Sequence, residues 1–493
     1  MQKPLHLGLA DDLIARIDRG EWKAGARMPS VRELASELDV SPFTVSRAIR
    51  YLTSAGHVQT IRGKGTYVAG TPRAPEPPPV DLSWQNALLR KPASTRANQI
   101  VQPLIRSSAL SPDMIVLASG GETSDVLPKH SLESAWRGLL SDVQSDMLAG
   151  WAAEGEPPTR EWIADYLLGT GIETSPENVI VTSGGQQALS LVAQTLLEPD
   201  DTVLVERPMY LFALSILDSL GVRCIDVPVD EYGTWVESAE DLIERFRPKL
   251  VWTVPTGQVP TGATLPIDRR RQLLEAARKH GIMILEDDHA SEMTYDGAAP
   301  PAIKSFDTHG HVVYAKSFSK ITLPALRIGA IVAEGLVFDA LKHAKLIADR
   351  YTSTIIQSAF LAYVTRPSFP RDLARYRTIY RERRDAMLEA LEQHMPEGVQ
   401  WTHPMAGFHL WITMPPGISA QEVAVRAAGH GVLVARGGAF HAQGDPDTGV
   451  RLTFTSNDVD RIRLGIERLG LAFNDAMYGG RQSLPRLTDL GIT

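Results

Sequence analysis

A lysine, two serines and an arginine follow one apolar segment of the chain. The run His311–Ala315 is followed by Ser317, Ser319 and Lys320, and Arg327 comes one short loop later. A lysine amine can condense with an aldehyde, while hydroxyls and a guanidinium can bind phosphate oxygens. These residue types at this spacing predict a site for a phosphorylated aldehyde that is attached covalently at Lys320.

The elements that would position these residues are six short, mostly apolar runs with amphipathic helical patterns between several of them. Such a sequence is typical of a mostly parallel sheet covered by helices on both faces. In these α/β sheets ligands bind at the carboxyl ends of the strands. The predicted strands are Asn178–Thr182, Thr202–Val205, Leu250–Val254, Ile282–Leu285, His311–Ala315 and Ile328–Ala333.

Several of these strands are followed by residues that could hold a flat, anionic cofactor. Gly185 and Gln186 follow the first strand, where a turn into a helix offers backbone N–H groups to an anion. Tyr210 follows the second strand and could stack on an aromatic ring. Asp287 follows the fourth, and a carboxylate there could pair with a protonated pyridine nitrogen and keep the ring an electron sink. His289 comes two residues later.

The order and spacing of these residues resemble the fold-type I enzymes that use pyridoxal 5′-phosphate (PLP), in the class I/II aminotransferase family. The resemblance runs from about Met114 to Leu469. It implies that Lys320 forms the Schiff base with PLP, Asp287 pairs with the pyridine nitrogen and Tyr210 stacks on the ring. It also implies that Arg451 binds the carboxylate of an effector or substrate. The residues implied to hold the phosphate are Gly185, Gln186, Ser317, Ser319 and Arg327.

Two positions depart from that family's pattern. Many members have an asparagine before the second Pro-Thr-Gly, where this chain has Val259, and many have a tyrosine where this chain has His289. Both usual residues hydrogen-bond the phenolic oxygen of the cofactor. The resemblance therefore implies cofactor binding, with His289 as a candidate contact, but it does not imply efficient transamination.

The first 70 residues predict a different kind of domain. Leu9, Leu13, Ile14 and Ile17 form the apolar face of a first helix. Ser30 and Glu33 form a capping box for a second, and Ser41-Pro42 begins a third. Two strand-like runs, Val58–Ile61 and Thr66–Val68, flank a basic turn. This order predicts a winged helix-turn-helix, in which the third helix can enter the major groove of DNA.

This module resembles the GntR family of bacterial regulators over residues 5–68. The motif residues are Gly25, Met28–Ala35, Val40-Ser41, Thr44-Val45 and Gly63–Val68. Relatives often carry arginines where this chain has Pro42 and Ser46, so no base preference follows from the resemblance. The candidate DNA-binding residues are Arg32, Ser41, Thr44, Ser46, Arg47, Arg62, Gly63 and Lys64.

Charge and composition agree with a cationic module on an acidic body. The chain has 493 residues and a net charge of −8, but residues 1–70 contain 10 Lys+Arg and 7 Asp+Glu. That excess of cations suggests a polyanionic partner for the module alone. The single cysteine, Cys224, excludes an internal disulfide. No metal site is predicted, and without a signal peptide or an apolar run of about 18 residues the expected compartment is the cytoplasm.

A proline-rich segment separates the two resemblances. Five of the nine residues 71–79 are prolines, which indicates a semi-rigid linker. The predicted organisation is a winged helix-turn-helix at 1–70, a linker at 71–113, an α/β aminotransferase-like PLP domain at 114–475 and a tail at 476–493. A partly helical stretch is also predicted at Leu82–Leu89.

A GntR-type winged helix joined by a linker to an aminotransferase-like domain is the arrangement of the MocR subfamily of transcriptional regulators. The resemblance implies a homodimer, domain-swapped head-to-tail, that binds double-stranded DNA. It implies PLP on Lys320 and an effector that is an amine, an amino acid or a B6 vitamer. Two alternatives stay open: an active aminotransferase tethered to DNA, and a regulator whose cofactor fold no longer binds PLP.

Overall fold

The computed structural model describes residues 4–61, 64–69, 84–85, 113–119, 126, 133–134, 136–138, 152–443 and 449–479. By internal contacts the chain divides into two units, Met1–Arg90 and Lys91–Thr493. Arg62, Gly63 and most of the predicted helical stretch at Leu82–Leu89 lie outside the described residues. The finer boundaries at residues 70, 113 and 475 stay predictions.

The N-terminal unit contains the three predicted helices: α1 (Leu5–Asp18), α2 (Val31–Glu37) and α3 (Pro42–Ser54). The Ser30 hydroxyl accepts a hydrogen bond from the Glu33 amide, and the Glu33 carboxylate accepts one from the Ser30 amide. The Ser41 hydroxyl likewise accepts from the Thr44 amide at the start of α3. Both predicted caps are therefore confirmed, and they satisfy N–H groups that a helix start leaves without partners.

A hairpin completes this unit. Its strands, β1 (Val58–Ile61) and β2 (Gly65–Val68), pair antiparallel, with Val58 opposite Val68. One face of the hairpin joins a core that the three helices also share. The helices and the hairpin together confirm the predicted winged helix-turn-helix. The buried residues of this core include Ala10, Leu13, Leu34, Val45, Leu52, Val58 and Val68.

The larger unit is built on an eight-stranded sheet. All six predicted strands are present, and a seventh and eighth lie at one edge. The strands are β4 (Val179–Thr182), β5 (Thr202–Arg207), β6 (Arg223–Asp230), β7 (Gly233–Thr234), β8 (Leu250–Thr253), β9 (Met283–Asp288), β10 (Val312–Ser317) and β11 (Gly329–Val332). Their order across the sheet is β4-β11-β10-β9-β8-β5-β6-β7.

The sheet is mostly parallel, as predicted. Strands β10, β9, β8, β5 and β6 pair in parallel, whereas β11 runs antiparallel between β4 and β10, and β7 pairs antiparallel with β6. Strand β6 was not predicted because polar residues interrupt the apolar run in Arg223–Asp230, and only Val227 is buried. That pattern suits a strand near the sheet edge, not a buried central one.

Helices cover both faces of the sheet. On β5, Val203 and Val205 join one hydrophobic cluster, and Leu204 between them joins another on the opposite face. Alternation of side chains along a strand explains this division. The helices of this unit are α4 (Pro157–Leu168), α5 (Gly185–Leu196), α6 (Leu211–Leu220), α7 (Val236–Phe246), α8 (Ile267–His280), α9 (Gly335–Asp349), α10 (Thr354–Val364), α11 (Phe369–His394), α12 (Ala420–Gly429) and α13 (Val459–Met477).

A second, antiparallel sheet is formed by the C-terminal part of this unit. It has the order β12-β13-β16-β15, from strands at Gln400–Trp401, His409–Thr413, Gly449–Thr453 and Ala435–Arg436. A two-stranded parallel ladder pairs β3 (Ile115–Val116) with β14 (Val432–Leu433). In the described part of the chain, no helix is long and apolar enough to cross a membrane. No group of three or more His, Cys, Asp and Glu side chains there is arranged to hold a metal ion.

Candidate cofactor site

The turn between β4 and α5 forms a cradle for an anion. Gly184 has φ of +87°, a conformation that favours glycine, and it directly precedes the first residue of α5. A Cβ atom on Gly184 would lie 2.8 Å from Cζ of Arg327, and one on Gly185 would lie 2.9 Å from Cβ of Ser317. The two glycines therefore allow an arginine and a serine to approach the positive end of a helix, where backbone N–H groups bind phosphate.

Arg327 is held in this cradle by its own backbone and by a serine. It follows the 3-10 turn Pro324–Leu326 and adopts φ of +52°. Its Nη1 atom donates a hydrogen bond to Oγ of Ser319 at 3.1 Å. Three separate segments thus meet at the predicted phosphate site. They contribute Gly185, Ser317 with Ser319, and Arg327.

Lys320 lies on the ring of Phe408. Its Nζ atom is 5.3 Å from the centre of that ring. The His289 ring packs on the same phenylalanine, with its centre 6.1 Å away. Lys320 and His289 are therefore neighbours across one aromatic side chain, although 31 residues separate them in the sequence.

Asp287 is a buried carboxyl group at the end of β9. It is 6% exposed. Burial, together with the nearby carboxylates of Asp288 and Glu206, raises its pKa to about 8. A buried carboxyl group with a raised pKa is well suited to a protonated pyridine nitrogen, because that cation would stabilise its charged form.

Tyr210 and Gln186 are hydrogen-bonded to each other beside Asp287. The Tyr210 hydroxyl donates to Oε1 of Gln186 at 3.3 Å. Burial and the charge of Asp287 raise the pKa of Tyr210, so the phenol stays neutral. The structure therefore places the predicted ring-stacking residue next to both the phosphate cradle and the predicted partner of the pyridine nitrogen.

His289 and Val259, the two positions that depart from the aminotransferase pattern, are both largely buried, but they differ in their capacity to form hydrogen bonds. Burial lowers the pKa of His289 to about 4, and Lys320 and Lys316 contribute, so the ring is neutral. Its buried Nε2 atom has no hydrogen-bond partner among the described residues. Val259 is 4% exposed and has no side-chain donor. His289 is thus the group of the two that can hydrogen-bond a ligand.

Gln258 cannot substitute for the missing amide at Val259. Its Nε2 atom donates to the buried Glu206 carboxylate at 3.0 Å and to the Pro208 carbonyl at 2.7 Å. Its Oε1 atom accepts from the amide and hydroxyl of Thr261. All these hydrogen bonds hold the loop after β8. The Gln258 amide is therefore not available to replace the asparagine that is absent at Val259.

Arg451 is a buried cation on β16. One of its Nη atoms donates to the carbonyl of Ala118, and its buried Nε atom has no partner among the described residues. The guanidinium lies over the Phe440 ring at 5.1 Å. Burial lowers the pKa of Arg451 to about 10, so it remains charged at neutral pH. A charged group with an unused donor fits the predicted carboxylate-binding role.

His409 belongs to the same cluster and was missed by the sequence reasoning. Burial, with the nearby Arg451, His289 and Lys320, holds its pKa well below its usual value. Its buried Nδ1 atom has no partner among the described residues. The only sequence signal was a histidine opening the apolar strand β13, and nothing local linked it to Lys320.

A buried ion cluster supports the ends of β9 and β10. Nζ of Lys316 lies 3.0 Å from Asp288 and 2.8 Å from Glu292, and the Tyr314 hydroxyl also donates to Asp288. Burial would raise the pKa of Asp288, but the Lys316 ammonium and hydrogen bonds from Ser291 and Tyr314 lower it below its usual value. Lys316 is therefore held by two carboxylates.

The candidate DNA-binding residues lie on the surface of the N-terminal unit where they are described. Arg32, Ser41, Arg47 and Lys64 are exposed, while Thr44 and Ser46 are partly buried. The Thr44 hydroxyl also bonds the Ser41 hydroxyl at 2.8 Å. Arg62 and Gly63 lie outside the described residues.

These features fit PLP. The glycine cradle with Arg327 suits its phosphate, Tyr210 can cover its ring, Asp287 suits its pyridine nitrogen and Lys320 suits its aldehyde. The sheet order, with the candidate residues at the carboxyl ends of β4, β5, β9 and β10, defines a fold-type I PLP-dependent domain.

Comparisons with known proteins agree with both parts of the chain. Residues 119–469 match the family described as aminotransferase class I and II, and residues 5–68 match the bacterial regulatory proteins of the gntR family. The chain belongs to the class I and II aminotransferase family and carries a gntR-family domain. This is the domain combination of the MocR-type regulators.

The individual relatives include both aminotransferases and a regulatory protein. The aromatic-amino-acid aminotransferase 1 of Thermococcus litoralis is 33% identical over 80% of this chain and 96% of its own length. The structure of the Pyrococcus horikoshii kynurenine aminotransferase in complex with PMP is 34% identical, has a TM-score of 0.75, and covers 80% of this chain and 98% of its own. The probable rhizopine catabolism regulatory protein MocR of Rhizobium meliloti is 29% identical over 98% of this chain and 97% of its own.

Proposed function

We propose that this chain is a PLP-dependent transcriptional regulator that binds double-stranded DNA through its winged helix. It senses an amine, an amino acid or a B6 vitamer at the PLP site of its larger unit. The observation that carries the proposal is the presence of both sites in one chain: a winged helix with exposed cations and a site whose residues fit PLP. A MocR-type relative matches along nearly the whole length, whereas the aminotransferase named above matches 80% of it.

In the proposed site each residue has one task. When bound, PLP supplies an electrophilic carbonyl carbon that primary amines attack. Lys320 is its attachment point, and Asp287 holds a proton on the pyridine nitrogen. His289, neutral and with a buried Nε2 atom available, hydrogen-bonds the phenolic oxygen in place of the residues usual in aminotransferases.

Arg451 and His409 would decide which effectors bind. Arg451 provides a buried charge that would bind a carboxylate, so amino acids are favoured over simple amines. His409 lies close to Arg451 and is neutral, so it can add a hydrogen bond without adding charge. Effector binding regulates DNA binding only if the effector prefers one arrangement of the protein, and a coupling of about 1–3 kcal/mol is enough.

The proposed assembly is a homodimer, since proteins of this fold are typically dimeric. A head-to-tail, domain-swapped arrangement would give each DNA-binding module a symmetry mate. Two modules on one duplex would recognise paired half-sites, as symmetric regulators do.

The test uses the full-length, PLP-loaded protein and DNA duplexes that it selects from a random library. Amines, amino acids and B6 vitamers are screened while the visible absorption of the cofactor and the Kd for the duplexes are both measured. One effector class should change both, with a 5–150-fold change in Kd. Arg451→Ala should remove the response to amino acids and leave the cofactor absorption, and Arg463→Ala, an exposed arginine on α13, should change neither.

A working aminotransferase is the second candidate, and the presence of Lys320, Asp287 and Arg451 together with the kynurenine aminotransferase relative favours it. Repeated turnover of amino donors with 2-oxo acids, without an effect on DNA binding, would establish that function instead. A third candidate is a regulator that has lost PLP. Purified protein without a visible chromophore after added PLP would establish that one.

A further inference from the structure

Phe43 is an unusual residue for its position in the winged helix. It is the second residue of α3 and is 72% exposed, although phenylalanine is normally buried. The core of this unit is filled by other residues of the same helix. Packing within the domain therefore does not explain a large apolar side chain here.

The position of Phe43 on α3 places it in line with two cations. Residues at i, i+4, i+7 and i+11 of a helix share one stripe, and on α3 these are Phe43, Arg47, Arg50 and Ser54, all exposed. The buried residues of α3, on its opposite side, are Val45, Ala48, Ile49 and Leu52. Phe43 thus begins the stripe that faces away from the domain core.

The surroundings of this stripe favour duplex DNA as its partner. Between Ser41 and Gly65 the chain has four basic residues and no acidic residue. In a helix-turn-helix the N-terminal residues of the recognition helix reach base edges in the major groove. Pro42 and Ser46 occupy positions where related modules often carry arginines, so no guanidinium reaches guanine from either position.

We propose that Phe43 contacts the 5-methyl group of a thymine in the major groove, while Arg47 and Arg50 contact flanking phosphates. Of the base edges in that groove, only thymine presents a methyl group, and an apolar side chain is suited to it. The module would therefore distinguish thymine from the other bases by apolar contact. This inference rests on the proposed function, because it assigns a reading residue to the proposed DNA-binding helix.

The experiment compares selected duplexes with copies in which deoxyuridine replaces thymidine one position at a time. Loss of one buried methyl group should weaken binding by the full-length protein about fourfold at one position in each half-site. Phe43→Ala should bind thymine and uracil duplexes equally. Tyr51→Ala is the matched control, since Tyr51 is an aromatic residue of α3 that is 44% exposed and lies about two helical turns beyond Phe43, away from the N-terminal end that reaches base edges. It should keep the thymine preference.

Three results would overturn the inference. The wild-type protein could bind thymine and uracil duplexes equally at every position, which would leave Phe43 as a contact for another protein or another part of this chain. Phe43→Ala could keep the full thymine preference. Absence of any selected duplex would overturn the proposed function as well, whereas sequence-specific binding that ignores the methyl group would overturn this inference alone. The uracil comparison on wild-type protein needs no variant to fold.

Discussion

Gly184 and Arg327 approach so closely that a Cβ atom on the glycine would lie 2.8 Å from Cζ of the arginine. The contact joins the turn after β4 to the loop after β10, 143 residues later. It explains why this position is a glycine on steric grounds as well as by its φ of +87°.

Gly184→Ala should therefore displace Arg327 and weaken PLP binding by at least tenfold, since a charge-assisted hydrogen bond contributes about 1.5–3 kcal/mol. Titration of the apoprotein with PLP, followed by visible absorption, measures this. Gly171→Ala is the matched control, because Gly171 has φ of +91° and no atom near its would-be Cβ. Equal losses of PLP affinity in the two variants would contradict the cradle.

Asp287→Asn should change how the stability of the apoprotein depends on pH. The pKa of Asp287 is about 8 in the folded chain against 3.8 for an ordinary aspartate, so the folded state keeps the proton to higher pH. The unfolding free energy of the wild type should fall as pH rises from about 4 to about 8 and then level off. The variant should lack the part of this decline that Asp287 contributes, so it should be more stable than wild type at pH 9 but not at pH 4. Urea unfolding of the two apoproteins at pH 4, 6 and 9 checks this, and parallel curves would contradict the raised pKa.

Lys316→Met should destabilise the larger unit by about 3–5 kcal/mol, because it leaves the Asp288 and Glu292 carboxylates buried without their cation. Lys342→Met removes an ion pair with Glu154 from a side chain that is 43% exposed, and should cost less than about 1 kcal/mol. Urea unfolding of the PLP-free proteins compares them. Similar small losses would show that the cluster contributes little.

PLP should be attached at Lys320 and not at the neighbouring Lys316. After borohydride reduction of the holoprotein, peptide mapping should recover the cofactor on Lys320. Lys320→Ala should yield no labelled peptide and should retain DNA binding, since the winged helix has its own core. Label on Lys316 would reverse the assignment, and loss of DNA binding from a folded variant would show that the two sites are not separable.

Lys64→Gln should weaken DNA binding across all sequences. Lys64 is exposed in the turn between β1 and β2, and each phosphate contact contributes about 0.9 to the slope of log K against log salt. The slope should therefore become shallower by about one. Lys249→Gln, an exposed lysine of the larger unit, is the matched control and should leave the slope unchanged. An unchanged slope for Lys64→Gln would exclude a contact between the wing and a phosphate.

Local chemistry made most of the site residues predictable. Helix caps such as Ser30 and Ser41 bond to a backbone amide three residues further along the chain. A buried strand can be predicted from a continuous apolar run. Residues that follow such runs meet at one edge of a parallel sheet, so Lys320 and Asp287 could be placed in a common site without a structure. Strand β6 was missed because polar residues interrupt its sequence, and only Val227 in it is buried.

Contacts between distant segments were not predictable in this way. His409 reaches the site from β13 in the second sheet, and its neutral state depends on burial that no short sequence window encodes. The ion pair between Lys316 and Glu292 also depends on how separate loops pack. The same is true of the hydrogen bond that Gln258 donates to Glu206.

The sequence by itself determined the helices, the strands and the residues at the strand ends, because these follow from short-range periodicity and capping. Its motif spacing also carried the two family resemblances, and those resemblances implied the cofactor. The tertiary structure decided which groups are charged and which hydrogen-bonding atoms are available. Asp287 has a raised pKa, His289 is neutral with a buried Nε2 atom, and Lys316 is bound to carboxylates. Those properties depend on burial and on neighbours brought together from distant parts of the chain, and the free energy of a charge depends on both.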